Sequence, residues 1–153
     1  MTKNKNNMGT RSLTRIIPRQ DGLSFAEGHE KGELAYVNMF RHFDGYPEGH
    51  GIDLAEFLKD FKIINGIGGD AKLGTHANGA GCLAAQMVKH FKEDVGYINL
   101  YPTNNDGAGD EEYIYTVYPK SGEPCYISIW KVHDKRCIFV GTPQDLIQKY
   151  YED

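Results

Sequence analysis

The sequence predicts an α+β fold, in which an antiparallel sheet of about five to six strands is combined with two central helices and a short C-terminal helix. Strand-like segments lie towards both ends of the chain, and the turns between neighbouring ones favour antiparallel hairpins. Two segments between them place apolar residues at helical spacing. Because 153 residues is a common size for one domain, residues 10–153 are interpreted as a single domain that follows a disordered tail, residues 1–9.

Two strands are predicted before the helices, because residues 10–18 and 33–43 carry strand-forming apolar and aromatic side chains. A polar connection that contains glycine, residues 22–32, would join them as a hairpin. Residues 44–51 (DGYPEGHG) are dense in residues that favour turns. A loop is therefore expected between the second strand and the first helix.

Two helices are predicted in the middle of the chain. The first has apolar residues at the i, i+3, i+4, i+7 positions of Leu54–Phe61. Asp53 and Glu56 resemble a capping box at its start, with aspartate in the usual place of serine or threonine. The second helix begins near Asn78, shows the same spacing and ends before Gly96. Helices on one face would then cover the sheet.

Four strands are predicted after the helices, over residues 97–101, 113–118, 126–132 and 136–140. Turn-rich segments separate the last three, which favours hairpins. Thr142 and Pro143 then open the short C-terminal helix, because threonine is a preferred cap and proline is preferred in the first turn.

The formal net charge is −4, which argues against a stable complex with nucleic acid. The charge is unevenly distributed, since the first 20 residues hold five basic residues and no acidic one. This basic arm would contact phosphate groups, or it would be a tail followed by the solvent face of the first strand. Both interpretations remain open.

The sequence predicts a cytoplasmic protein without a membrane span, because it has no long apolar run and no secretory signal. Cys82, Cys125 and Cys137 form no even framework and no paired motif, so reduced thiols are expected. No cofactor and no metal site are expected.

The densest polar cluster contains Arg41, His42, Asp44, Tyr46 and His50 within ten residues. Four interpretations remain open. His42, Asp44 and His50 could ligate a metal ion, or His42 and Asp44 could act together in acid–base catalysis. Arg41 and Tyr46 could bind a ligand. Alternatively, the segment is a turn whose side chains bond to the backbone.

The start of the second helix, Asn78–Cys82, is rich in glycine. It would attract an anion through its free amide groups, or its glycines would allow close packing. Cys82 could be a nucleophile there, although a small buried cysteine is the alternative.

Tyrosines concentrate after residue 96. Strict alternation places Tyr97, Asn99 and Tyr101 on one strand face, and Tyr113 and Tyr115 share another that could pair across from it. Such a surface would stack a base, face solvent or join two subunits. A homo-oligomer is accordingly expected, with the joining of subunits as one of the possible roles of this surface.

Four stretches together look familiar: Arg41–Gly49 (RHFDGYPEG), Asn78–Gln86 (NGAGCLAAQ), Tyr97–Pro102 (YINLYP) and Glu111–Tyr115 (EEYIY). They resemble a set of small single-domain proteins common in bacteriophage and prophage genomes. The first stretch, with its RHxDGYPxG pattern, is the most distinctive, and the resemblance spans residues 34–130.

The resemblance implies a phage-encoded protein that acts in the cytoplasm of a bacterial host. Small phage proteins of this kind often counter host immunity, and one class, the Thoeris and CBASS anti-defence sponges, binds cyclic nucleotide signals as an oligomer without cleaving them. The expected function is therefore non-enzymatic sequestration of a nucleotide-derived signal. The alternatives are a protein-binding inhibitor of a host defence enzyme and a small hydrolase that uses His42 and Asp44.

The candidate ligand-binding residues are selected by the chemistry of their side chains. None of them is transferred from a family. Arginine would meet phosphates, tyrosine would stack on bases, and asparagine would bind polar edges. The candidates are Arg41, His42, Asp44, Tyr46, Asn78, Tyr97, Asn99, Tyr101, Tyr113 and Tyr115.

Overall fold

The computed structural model describes residues 9–19, 35–66, 68, 71–103 and 109–151. The strands are β1 (Ser12–Ile16), β2 (Asn38–Arg41), β3 (Lys62–Ile64), β4 (His76–Asn78), β5 (Ile98–Leu100), β6 (Tyr113–Lys120), β7 (Glu123–Lys131) and β8 (Arg136–Gly141). The helices are α1 (Ile52–Leu58), α2 (Gly79–Phe91) and α3 (Pro143–Tyr150), and a π-helical turn, Pro47–Gly51, precedes α1. The predicted α+β class is confirmed. Residues 1–8 of the expected tail and the connection at 22–32 lie outside the described residues.

The main sheet has six strands in the order β5-β2-β1-β6-β7-β8. The predicted hairpins are present, because β1 pairs antiparallel with β2, and β7 pairs antiparallel with both β6 and β8. One neighbouring pair differs from the antiparallel expectation: β1 and β6 run parallel. These two strands are far apart in sequence, and a parallel pair requires a long crossover, which the helical segments supply here.

All three helices pack on one face of this sheet, as expected. One apolar cluster joins sheet residues with helix residues, among them Met39, Val117, Ile127, Leu54, Met87 and Leu146. A separate cluster contains Leu13, Phe40, which follows Met39 in β2, and Ile114, which lies three residues before Val117 in β6. Because side chains alternate along a strand, this second cluster lies on the opposite face. No described helix is long and apolar enough to cross a membrane.

The prediction of a loop over residues 44–51 is wrong for the second half of this segment. Pro47–Gly51 forms the π-helical turn, and Gly51 has helical dihedral angles (φ −57°, ψ −48°) where α1 begins. The chain is thus already helical before Ile52, so the first amides of α1 have partners upstream. Asp53 accordingly makes no capping hydrogen bond, and its carboxylate bonds to Arg41 instead.

The helix α1 ends at Leu58, earlier than its apolar spacing indicates. Phe61 continues the apolar face but lies beyond the helix, and it is buried in the core. The strand β3 follows at once and pairs parallel with β4 in a separate two-stranded sheet. Both strands have three residues, which is too short for an alternating pattern to be recognised.

The C-terminal helix α3 begins as predicted. Thr142 Oγ1 accepts a hydrogen bond from the amide of Asp145, whose carboxylate accepts one from the amide of Thr142. Pro143 occupies the first turn. Sequence and structure agree here because a capping box is a local arrangement of four residues.

Candidate functional site

His50 is the centre of a buried hydrogen-bond network beneath the sheet. The π-helical turn places its ring against β1, β2 and β6, and the side chain is 0% exposed. Its Nε2 lies 2.8 Å from Thr14 Oγ1 and its Nδ1 lies 3.0 Å from Arg41 Nη1. The Tyr115 ring meets the imidazole edge to face at 4.9 Å.

The protonation state of His50 follows from these partners. A guanidinium group only donates, so Nδ1 must accept, and the ring proton must lie on Nε2 and be donated to Thr14. Burial lowers the pKa of His50 well below its usual value, and the positive charge of Arg41 lowers it further. His50 is therefore a neutral structural residue.

Arg41 connects this network to the surface. Its Nε donates to the Phe43 carbonyl at 2.7 Å, and its Nη1 donates to Asp53 Oδ2 at 3.2 Å. Its Cζ lies 5.2 Å from the centre of the Tyr97 ring. The residue is only 6% exposed, and its Nη2 makes no hydrogen bond with the described residues. A buried arginine is thus held by fixed partners with one donor group still available.

Asp44 binds two tyrosine hydroxyls. Tyr46 donates to Oδ1 at 3.1 Å, and Tyr97 donates to Oδ2 at 3.4 Å. Asp44 adopts a left-handed conformation (φ 61°), which aspartate tolerates better than most residues. Burial, together with the bond to this carboxylate, raises the pKa of Tyr46 to about 12. Tyr46 therefore stays protonated and holds Asp44 in place.

A cleft of about 360 Å³ opens beside Arg41, close to the lower end of the range for ligand pockets. We call it the Arg41 cleft; it is lined by Arg41, Asp53, Glu56, Phe57, His90, Phe91, Glu93, Tyr97 and Ile98. It lies between α1, the C-terminal end of α2 and the start of β5. The Phe57 and His90 rings lie against each other with centres 4.7 Å apart, so the cleft has aromatic walls, three carboxylates and one guanidinium.

A second cleft of about 410 Å³ adjoins the first. We call it the Leu73 cleft; it is lined by Glu56, Phe57, Asp60, Leu73, Gly74, Thr75, Gln86, Lys89 and His90. Glu56, Phe57 and His90 line both clefts. Leu73 is 72% exposed there, so an apolar group and carboxylates share one surface.

The structure brings four of the sequence-predicted residues together. Arg41 and Tyr97 line the Arg41 cleft, and Asp44 and Tyr46 lie directly behind Tyr97. His42 lies next to them in sequence, but its ring packs edge to face against Phe40 at 4.9 Å. It does not line the cleft.

The other predicted tyrosines and Asn99 do not join this group. Tyr101 packs against Phe40 in the apolar cluster on the far face, and Asn99 is exposed. Tyr115 is buried and donates to the Gly45 carbonyl at 2.6 Å, so it supports the network from inside. Tyr113 is partly buried beside Tyr115, outside the cleft.

The expected pairing of the two tyrosine-bearing strands is wrong. β5 is an edge strand paired with β2, and β6 is paired with β1 and β7. Two strands therefore separate the faces that were expected to meet. The shared face of Tyr97 and Tyr101 is also absent, because β5 begins at Ile98 and Tyr97 precedes the regular alternation.

Asn78 also lies away from the Arg41 cleft. It precedes α2 as expected, but its side chain makes no capping bond and accepts from the amide of Gly66 at 2.7 Å. Gly79 follows with φ 82°, a conformation that favours glycine. Cys82 is half-buried and lies 3.4 Å from Gln86 Nε2. These contacts give the start of α2 a structural role.

Several residues of the Arg41 cleft were missed by sequence reasoning, namely Asp53, Glu56, Phe57, His90, Phe91, Glu93 and Ile98. Phe57 and Phe91 were assigned to the apolar faces of the helices, Asp53 and Glu56 were interpreted as a capping box, and Glu93 was given no role. The available signal was that Asp53, Glu56 and Phe57 share one face of α1 at spacings of three and four residues.

Among the described residues, no group of three or more His, Cys, Asp or Glu side chains is arranged to hold a metal ion. Both ring nitrogens of His50 are occupied, which removes one of the three suggested ligands. The carboxylate of Asp44 is bound by tyrosines, and within the described residues no hydrogen bond joins it to His42. The acid–base pair therefore has no geometric support.

Cys82, Cys125 and Cys137 are all free. Burial raises the pKa of the Cys125 thiol to about 12. That thiol therefore stays protonated, as expected for a packed side chain.

No protein-family model, curated protein or solved structure matches this chain.

Proposed function

We propose that this chain is a non-catalytic binding protein that sequesters a nucleotide-derived signal in the Arg41 cleft. In line with the resemblance to phage proteins, the signal would be one of bacterial host immunity. The observation that carries the proposal is Arg41 itself, which is 6% exposed, lines the cleft and keeps Nη2 without a partner among the described residues. A fixed donor of this kind suits a phosphate oxygen, because the charge strengthens the hydrogen bond.

The aromatic walls suit the base of such a ligand. Tyr97 and Phe57 both line the cleft, and His90 extends the Phe57 surface. Tyr97 is held by Arg41 against its ring and by Asp44 at its hydroxyl. Because the walls are fixed before the ligand arrives, binding costs little ordering of side chains.

The same contacts argue against catalysis by His50 or Asp44. His50 is buried, neutral and engaged at both nitrogens, and Asp44 is engaged by two hydroxyls. General acid–base catalysis needs a group that can exchange a proton with the ligand. Sequestration needs only affinity and slow release.

The first test uses purified protein and a panel of cyclic mononucleotides and dinucleotides, with affinity measured by isothermal titration calorimetry. We expect Tyr97→Leu to weaken binding roughly 5- to 150-fold, which is the range for loss of one base–aromatic stack. Tyr101→Leu is the matched control, because Tyr101 packs on the far face, and it should leave the affinity unchanged.

Native mass spectrometry of protein purified from bacteria with a nucleotide-signalling defence system complements this measurement. A bound mass that is released intact on denaturation supports sequestration, whereas a chemically altered product indicates an enzyme. If no nucleotide binds in either experiment, or if Tyr101→Leu weakens binding as much as Tyr97→Leu, the proposed site is wrong.

A protein-binding inhibitor of a host enzyme is the second candidate, favoured by the Leu73 cleft. Leu73 is 72% exposed beside Glu56 and Asp60, and apolar groups rimmed by charge are common at protein interfaces. A pull-down from host lysate should then recover one protein in fixed ratio, and Leu73→Asp should abolish its recovery. Retention of the same partner by Leu73→Asp would exclude this surface.

A further inference from the structure

We infer that the Arg41 cleft takes a single anionic group at Arg41 and a ring that carries an amino group at Glu93. This inference rests on the proposed function and specifies the ligand for the same cleft. The chemical class is a nucleotide with one phosphate charge in the cleft and an amino-bearing base.

The anionic end is defined by Arg41. It is the only arginine or lysine among the described residues that line this cleft. Its Nε and Nη1 are occupied by the Phe43 carbonyl, His50 and Asp53. Only Nη2 is left to bind an incoming oxygen, so the cleft can neutralise one anionic group there.

The other charged side chains that line the cleft are carboxylates. Arg41 pairs with Asp53, and Lys59 pairs with Glu56 at 2.9 Å. Within the described residues, Glu93 is the one lining carboxylate without an ion pair. The C-terminal end of α2 also reaches the cleft at His90 and Phe91, and the carbonyl end of a helix carries partial negative charge.

The cleft is small enough that a charged group bound in it interacts with both Arg41 and Glu93. Arg41 and Glu93 line the same cleft of about 360 Å³, and salt screens charges in a partly enclosed space less than charges on an open surface. A second anionic group would therefore meet Glu93 without full screening. Polyphosphates are disfavoured for this reason.

The base preference follows from the chemistry of a carboxylate. An ionised carboxylate accepts hydrogen bonds and cannot donate. An exocyclic amino group of adenine or cytosine donates to it, whereas the carbonyl at the equivalent position of hypoxanthine or uracil opposes it. The aromatic walls bind the amino-bearing and the carbonyl-bearing ring alike. The difference in affinity between the two ligands therefore measures the contribution of Glu93.

The test compares ligands that differ at one group each. The probes are 3′,5′-cyclic AMP against cyclic IMP, cyclic CMP against cyclic UMP, and adenosine and ATP against cyclic AMP. We expect each amino-bearing cyclic nucleotide to bind about tenfold more tightly than its carbonyl counterpart, as for one hydrogen bond to a charged group. Adenosine and ATP should both bind more weakly than cyclic AMP.

Glu93→Gln should reduce the preference for amino-bearing bases over carbonyl-bearing bases. It should also reduce the difference in affinity between cyclic AMP and ATP. Glu112→Gln is the matched control, because Glu112 is an exposed carboxylate just before β6 and lines neither cleft. Equal affinities within the amino and carbonyl pairs, tighter binding of ATP than of cyclic AMP, or unchanged preferences in Glu93→Gln would each overturn the inference while the proposed function stands. Absence of binding by every probe would overturn both.

Discussion

Replacement of Arg41 by methionine is expected to lower the free energy of unfolding by about 2–4 kcal/mol. Methionine keeps the apolar stem but removes the donors that satisfy the Phe43 carbonyl and His50 Nδ1. The buried His50 Nδ1 costs about 1–3 kcal/mol when it is left without a partner, and the part-buried Phe43 carbonyl costs less because water can reach it. The loss of the Asp53 ion pair adds little, because that carboxylate is 54% exposed.

Urea unfolding, followed by tryptophan fluorescence and by circular dichroism, measures this change. Arg136→Met is the matched control. Arg136 is 65% exposed, and its surface ion pair with Asp134 is long, at 3.9 Å. The control should stay within about 0.5 kcal/mol of the parent protein. A loss below about 1 kcal/mol for Arg41→Met would mean that the network does not depend on arginine at this position.

The elements of the fold were predictable where their signals are local. The Thr142 cap of α3 and the β7–β8 hairpin each depend on residues a few positions apart. The parallel pairing of β1 with β6 depends on residues about 100 positions apart. No short-range pattern specifies it, so the sheet order could not be derived.

The candidate site was predictable only in part for the same reason. Arg41 and Asp44 were singled out because they stand in a dense polar motif. The motif does not show that His50 turns inward, since that depends on the π-helical turn and on Thr14 in β1. A turn was expected where the backbone instead starts a helix one turn early.

The cleft walls were missed because they come from separate elements. Glu56 on α1 and Glu93 after α2 are 37 positions apart, and each alone is typical of a solvated helix end. Tyr97 was assigned to a face with Tyr101 by strict alternation, which fails because pairing with β2 starts one residue later. Only the packed structure combines these residues into one cleft.

The buried imidazole of His50 is expected to make the fold labile to mild acid. Burial and Arg41 hold the pKa of His50 in the folded protein well below its usual value, while the unfolded chain takes up a proton near pH 6.5. Below that pH the unfolded state binds one more proton than the folded state. Stability therefore falls as the pH drops, by up to about 1.4 kcal/mol per unit, and the loss is at most about 2 kcal/mol at pH 5.

Urea titrations at pH 7.5, 6.5, 5.5 and 5 measure this slope for the parent protein, for His50→Gln and for His133→Gln. Glutamine can bridge Thr14 and Arg41 without a titratable group, so His50→Gln should lose the acid-dependent part whatever its stability at pH 7.5. His133 is exposed, and its replacement should leave the slope unchanged. If His50→Gln keeps the parent slope, the imidazole is not held neutral, and the tautomer assigned from Arg41 and Thr14 must be abandoned.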